Sequence, residues 1–467
     1  MKIKGTMVIE LTDENTGEVE TITEENMVTN AVNHILGLNP MGIFYAASGQ
    51  YDDHVLWNEN LLPICPNMIG GILLYPSALT EDADNIYPSS AALPVAYASN
   101  DVNATADVAR GSMNLTESKA LDDGYKFVWE FTPSQGNGTI AAVALTSALG
   151  GKSVYGSSEN ATNAFLYVKG TRIDDIGDDN IEVLYSGVEV DFENGYVYSL
   201  RYVDSSVTVK KSKLPVFTLG LNDRLNDATC TLLEETVLHC STFKFIGSYT
   251  PYGDFIDGHD GYWYGFSNQS NSSGDATMYW IKIRKSDLSF TEGIWTLSNA
   301  HLQAIGSFKR DTYIQRASRG VIRNGYLYCL SYDNEGIYKI NLSNSTDITL
   351  ISFGFTSSGR AISGSSTSQN YLAMANDIII GYDFLLTAND TVIPIATGTK
   401  FENLGTPLFQ YKEFLTGWGG NYGSDYHNTW LLMPYLATIN NLSQAVVKNA
   451  DKTMKITYTL TEQDSSS

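Results

Sequence analysis

One local motif recurs through the middle of the chain and restricts its possible folds more than any other feature. Asn194-Gly195-Tyr196-Val197-Tyr198 returns as Asp260-Gly261-Tyr262-Trp263-Tyr264 and as Asn324-Gly325-Tyr326-Leu327-Tyr328. A degenerate copy is Asn376-Asp377-Ile378-Ile379-Ile380, and the separations are 66, 64 and 52 residues. Asn, Asp and Gly accept positive φ, so each copy reads as a tight turn feeding an aromatic or β-branched strand. In two copies a second strand follows, Met278 to Arg284 and Gly336 to Leu342. A polar turn comes next (Ser286-Asp287, Ser343-Asn344) and then a further strand (Phe290 to Leu297, Ile348 to Phe353).

This succession of turn, strand, loop, strand, turn and strand resembles a blade of a β-propeller of the kelch or quinoprotein-like kind. Such blades take about 40–50 residues, so the longer separations imply inserted loops. The block 156–430 then holds about five to seven blades. The motif marks four of them, and an earlier one is placed at Ala164 to Tyr185. A plain β-sandwich and a β-solenoid are the alternatives.

The flanks read differently. In Gly124 to Gly151, Tyr125, Phe127, Trp129 and Phe131 alternate with Lys126, Val128 and Glu130. That period of two is a strand with an aromatic face toward a core. Pro133 and Gln135-Gly136-Asn137-Gly138 supply turn chemistry, and Ile140 to Leu145 reads as the returning strand of a β-hairpin. Lys2 to Leu11 and Glu18 to Thr23 read as another hairpin across Asp13 to Gly17. Met27 to Leu38 carries apolar residues at helical spacing, with Asn26 as a cap and Asn39-Pro40 as a stop. Met454, Ile456, Tyr458 and Leu460 mark a strand near the C-terminus.

Three stretches carry a family resemblance: FVWEFTPSQGNGTIAAVALTS within Phe127–Ser147, EVETITEENMVTNA at Glu18–Ala31, and ATINNLSQAVVKNADKTMKITYTLTE at Ala437–Glu462. They resemble tail-fibre and baseplate-associated structural proteins of phages infecting Gram-positive anaerobes. The resemblance covers the two ends and not the middle. It implies that residues 1–155 form a β-sandwich-like attachment domain with one helix at about 27–38. A C-terminal strand pair in 431–467 would complete that domain around an inserted propeller-like domain at 156–430. It also implies a virion location, partners among other tail or baseplate proteins, a host-surface glycan or protein receptor, and a homotrimer by analogy with tail fibres.

Composition agrees with a mainly β protein: 29 Tyr, 40 Gly and only 17% charged residues. A net charge of −23, with basic clusters such as Lys210 to Lys213 and Arg316 to Arg323 all short, argues against nucleic acid and anionic membrane as partners. The N-terminus MKIKGTMVIEL lacks the apolar core of a secretory signal, and no apolar run is long enough to span a bilayer. Cys65, Cys230, Cys240 and Cys329 form no CxxC pair. They read as reduced thiols, with a Cys230–Cys240 hairpin bridge as the alternative.

Motifs that carry chemistry are missing. The sequence holds no G-x-S-x-G, no phosphate loop, no GxGxxG after a strand and no HExxH. Ser272 to Thr277 departs from the sialidase turn S-x-D-x-G-x-T-W. Asp174, Asp175, Asp178 and Asp179 read as a solvated acidic turn, and so does the group Asp254, Asp257, His259 and Asp260. No metal or other cofactor is expected. The candidate ligand-binding residues are Trp418, Tyr422, Tyr426 and Trp430, aromatic rings on a Gly-rich loop suited to a glycan, or else to filling the seam between domains. Two further functional readings stay open. One is a tail-associated glycan depolymerase, since 52 acidic residues offer many carboxylate pairs. The other is a bacterial surface adhesin.

Overall fold

A computed structural model describes residues 3–35, 63–153, 166–172, 187–213, 231–247, 253–306, 308–310, 313–315, 320–357, 372–395, 408–421, 424–432 and 434–462. The chain forms two compact units. The first comprises Met1–Lys169, Lys412–Phe414 and Trp430–Ser467, and the second Gly170–Tyr411 and Leu415–Thr429. The protein is mainly β, with a sandwich-like terminal unit and a propeller-like middle unit.

The first unit is built from two sheets. One runs Val19–Glu25, Ile3–Asp13, Lys452–Glu462, Gly124–Phe131 and Ser112–Met113, with Lys119–Ala120 also on the fourth strand. The other runs Met27–Val28, Thr438–Lys448, Gly138–Thr146, Gly71–Tyr75 and Ala96–Ala98. Register explains the first sheet's apolar face. Ile22 stands opposite Ile9, Ile9 opposite Ile456, Ile456 opposite Trp129, and Trp129 opposite Met113. Because side chains alternate along strands, this row and its neighbours two residues away point the same way. They meet Ile72, Leu74, Ile140, Leu145 and Val446 of the second sheet in one core. Trp129 is fully buried, lies 5.3 Å from the parallel ring of Phe127 and donates its indole N–H to the Ser99 carbonyl at 2.9 Å.

Three expectations change here. Gly124–Phe131 and Gly138–Thr146 are not a hairpin; they belong to different sheets, and 132–137 is an arch between them. The C-terminal strands divide in the same way, Thr438–Lys448 to the second sheet and Lys452–Glu462 to the first. Alternation shows that a strand has a buried face but does not name its partner, and both strands after 124 are apolar enough to be interior. Lys448, fully buried, holds the arch by donating to the carbonyls of Thr132 and Pro133 at 2.9 and 3.3 Å and to Asn137 Oδ1 at 2.9 Å.

The third change concerns the helix. It is Ala31–Ile35, while Met27–Val28 is a strand paired with Thr438–Lys448; residues 36–38 lie outside the described residues. Thr29 sets the boundary. Its N–H donates to the Ala437 carbonyl at 3.0 Å, and its hydroxyl donates to the Leu436 carbonyl and accepts the Ala31 N–H at 3.3 Å. The chain is therefore bound to the sheet until Thr29, and Asn26 spends its N–H on the Gly5 carbonyl rather than capping a helix.

The middle of the chain folds into four-stranded sheets, five among the described residues. Four are meanders, here called blades I to IV. Blade I is Gly187–Asp191, Tyr196–Val203, Ser206–Lys213 and Thr231–His239, and blade II is Asp254–Asp257, Tyr262–Asn268, Ala276–Arg284 and Phe290–Leu297. Blade III is Gly320–Arg323, Tyr326–Leu330, Gly336–Asn341 and Ile348–Ser352, and blade IV is Ala373–Ala375, Ile378–Ile380, Phe384–Leu386 and Val392–Pro394. The fifth sheet, blade V, takes Leu408–Tyr411, Phe414–Asn421 and Ser424–Leu432 in that order and adds Leu166–Arg172 beside the last. The segment expected to begin a blade of its own at Ala164 is thus a clasp strand, and residues 173–186 lie outside the described residues.

All four copies of the turn motif occupy the same place, between a blade's first and second strands. Gly195, Gly261, Asn324, Gly325, Asn376 and Asp377 have φ between 48° and 87°, the left-handed region that these residues tolerate best. Successive blades pack face to face over shared cores: I on II, II on III and III on IV. Their first strands neighbour one another in order, ending with blade V beside blade IV. Tyr411 of blade V then reaches the end of blade I's first strand, with its ring 5.1 Å from Phe192 and its hydroxyl 3.2 Å from Glu193 Oε1. The sheets therefore close a ring.

Blades I, II and III also share a device that the sequence did not announce. A lysine on the third strand stands directly opposite the second tyrosine of each Tyr-x-Tyr: Lys211 opposite Tyr198, Lys282 opposite Tyr264, and Lys339 opposite Tyr328. In each blade the ammonium lies over both rings, 4.0–4.6 Å from the first centroid and 5.3–5.9 Å from the second. A cation over the electron-rich face of a ring adds about 0.5–1 kcal/mol when solvent-exposed and more when desolvated.

Candidate binding face of the propeller-like unit

A meander places its first–second and third–fourth connections at one end of the sheet. Its second–third connection and the link to the next blade lie at the other end. The ends are unequal here. First–second connections take two to four residues in every blade and third–fourth connections five or six in blades II to IV, with one long exception, 214–230 in blade I, whereas the links 240–253, 298–319, 353–372 and 395–407 each exceed a dozen. The end with long connections is where sequence can vary without breaking the sheets, so it is the candidate functional face.

Side-chain hydrogen bonds hold the described parts of these connections. Asn268 accepts the Ile305 N–H at 2.9 Å and donates to the carbonyls of Gln269 and Gln303 at 3.2 and 3.0 Å. Asn271 accepts the Leu302 N–H at 3.0 Å and donates to the Ala300 carbonyl at 2.8 Å. Ser270 Oγ accepts the Ala304 N–H at 2.8 Å. In blade III the Tyr332 N–H donates to the His301 carbonyl at 2.8 Å, and the His301 N–H donates to the Tyr338 hydroxyl at 3.2 Å. The next link is fastened to the same loop by the Ser357 N–H on the Asn334 carbonyl at 2.9 Å and the Thr356 hydroxyl on Glu335 at 3.0 Å.

Carboxylates fasten other links. Glu292 of blade II accepts four hydrogen bonds of 2.6–3.1 Å, from the N–H groups of Ser241, Thr242 and Phe243 and the Ser241 hydroxyl. Burial pushes its carboxyl pKa up, but these donors prevail and hold it below the ordinary value. Asp333 is likewise held low, chiefly by the Ser331 hydroxyl.

The opposite end is occupied by seams between blades. Lys285 of blade II bridges Glu189 of blade I at 2.8 Å and Asp257 at 2.7 Å, and Trp263 donates its indole N–H to Glu189 at 2.8 Å. Buried Arg323 of blade III reaches Asp390 of blade IV at 2.7 Å, which also takes Lys339 at 2.6 Å and the Tyr328 hydroxyl at 3.0 Å. The polar cluster of the sequence reading belongs to such a seam. Asp257 takes the His259 N–H at 2.8 Å, and Asp260 takes the Tyr264 hydroxyl at 2.7 Å. Asp254 stands apart, buried at the start of blade II's first strand.

The aromatic candidates need a correction. Trp418 lies in the strand Phe414–Asn421, and Tyr426 and Trp430 lie in Ser424–Leu432, so this Gly-rich stretch is a pair of blade V strands and not a loop. Tyr422, like Asp174, Asp175, Asp178, Asp179 and Cys230, lies outside the described residues. Glycines are tolerated there because paired strands supply the order that their backbone lacks. Sequence reasoning missed Glu292 and Lys285, since nothing local marks a side chain that acts on a neighbouring blade or link, and it missed Tyr332, since exposure is set by the fold.

Among the described residues no three His, Cys, Asp or Glu side chains are grouped to hold a metal ion. Cys65, Cys240 and Cys329 are free thiols; burial pushes Cys65 up to about 12 and Cys240 up to about 11. No helix among the described residues is long and apolar enough to cross a membrane.

No family profile and no curated protein matches the sequence. Among solved structures, an endo-arabinase from Bacteroides thetaiotaomicron is similar over 56% of this chain and 97% of its own, at 13% identity and a TM-score of 0.30.

Proposed function

We propose that the chain is a structural protein of a phage tail, a fibre or baseplate-associated component, that attaches the virion to its host through the long-connection end of the propeller-like unit. The observation that carries attachment is the end that gathers four long inter-blade links, their described parts pinned by Asn, Ser and Glu side chains, against a single long connection, 214–230, at the other end. A rigid ring with variable, pre-ordered loops suits recognition, because little conformational freedom is lost on binding. The tail location rests on the resemblance of Glu18–Ala31, Phe127–Ser147 and Ala437–Glu462, and the first unit would dock to neighbouring tail proteins, as a trimer by the same analogy. Several copies on one particle raise avidity by orders of magnitude even when each contact is weak. Immunogold labelling with antibody against this protein is expected to mark the tails of virions released from the bacterium that carries the sequence. Label on the cell envelope and not on virions would support the adhesin instead.

A glycan hydrolase is the second reading, and buried Asp254 at the long-connection end of an inner strand favours it. That chemistry needs a second carboxylate roughly 5–10 Å away. Release of reducing ends from cell-wall polysaccharide, lost in Asp254→Asn, would establish it; no release by the unaltered protein would exclude it.

A further inference from the structure

Tyr332 is 47% exposed, whereas Tyr326, Tyr328 and Tyr338 of the same blade are all more covered. Tyr332 sits on the second–third connection of blade III, at the long-connection end, between the links 298–306 and 353–357.

Its setting is fixed. The Ser331 N–H donates to the Gly336 carbonyl at 3.0 Å, and the Gly336 N–H donates back to Ser331 Oγ at 3.0 Å. The Ser331 hydroxyl and the Glu335 N–H both bind Asp333, and Gln303 donates to Asn334. The ring is thus displayed from a loop braced on both sides, with its backbone N–H committed to His301.

Its neighbours discriminate between ligand classes. The other exposed residues of 298–306, 331–336 and 353–357 are Ser298, Asn299, Asp333, Glu335, Gly354 and Thr356. None carries an apolar side chain. A protein-binding hot spot needs an apolar surround that excludes water, and the exposed described residues of these segments supply none. These three segments hold no Lys or Arg, and two carboxylates are exposed beside the ring, so an anionic ligand would meet repulsion. A neutral sugar fits both conditions. Its C–H face covers an aromatic ring, and its hydroxyls donate to carboxylates and amide oxygens.

We infer that Tyr332, with Asp333 and Glu335 on the same loop, is a stacking platform for a neutral saccharide. This inference rests on the attachment reading and names the receptor's chemical class. The test uses the full chain, its Tyr332→Ala and Tyr332→Phe variants, and neutral cell-wall polysaccharide purified from the bacterium that carries the sequence. Titration should show Tyr332→Ala binding at least about tenfold more weakly and Tyr332→Phe within about threefold of the unaltered protein. Melting temperatures should match, because the side chain is exposed. Equal binding by all three proteins, no binding by the unaltered protein, or cell binding that survives periodate and is lost to protease would each overturn it. Failure to label virion tails would sink the tail reading alone and leave the saccharide result standing.

Discussion

At the residue scale, the turn motif matters because of backbone conformation and not packing. Gly325 has φ of 79°, and a Cβ placed there would meet nothing within 4 Å. Gly325→Ala should therefore lose only the left-handed preference, about 1–2 kcal/mol, read as a lower melting temperature with an unchanged circular dichroism spectrum. Trp129 is the contrasting case, in which packing decides. It is fully buried, stacked and hydrogen-bonded, so Trp129→Ala should cost about 3–5 kcal/mol in chemical denaturation. A cost below about 1 kcal/mol would mean that the row from Ile22 to Met113 is not the core.

At the scale of elements, the links between blades depend on charge. Glu292 ties the blade I–II link to blade II, and its carboxyl is held below the ordinary range. A depressed carboxylate stabilises the fold above its unfolded pKa, and that contribution is lost as pH falls through the folded value. Glu292→Gln should lower stability by about 1–3 kcal/mol at neutral pH and flatten its decline below pH of about 4.5. Equal acid sensitivity in both proteins would contradict this role. The same scale shows what was legible in the sequence. Turn chemistry and period-two alternation located strands at 196, 262, 326 and 378, because those signals are local. Partner choice was not legible. The arch at 132–137, the split C-terminal strands and the clasp at Leu166–Arg172 each depend on contacts hundreds of residues apart in the chain. The helix at Met27 shrank because Thr29 bonds to Leu436 and Ala437, and no local pattern announces such a bond. Among the candidate ligand aromatics, Gly-rich text suggested a loop where ladder pairing makes strands. Tyr332 drew no attention because exposure is a property of the folded chain.

At the scale of the whole molecule, ring closure by a distant strand predicts cooperativity. A fragment of residues 166–432 should fold, and one of residues 173–432, lacking the clasp Leu166–Arg172, should melt earlier and unfold less sharply. Equal melting of the two would show that the fifth sheet does not need its fourth strand. The central claim is attachment without cleavage through the long-connection end of that ring. The most direct measurement incubates the purified full chain with host cells, counts bound virions and assays the supernatant for new reducing ends. The account predicts saturable competition with virions and no reducing ends above a protein-free control. Competition that grows with incubation time and tracks the release of reducing ends would contradict it.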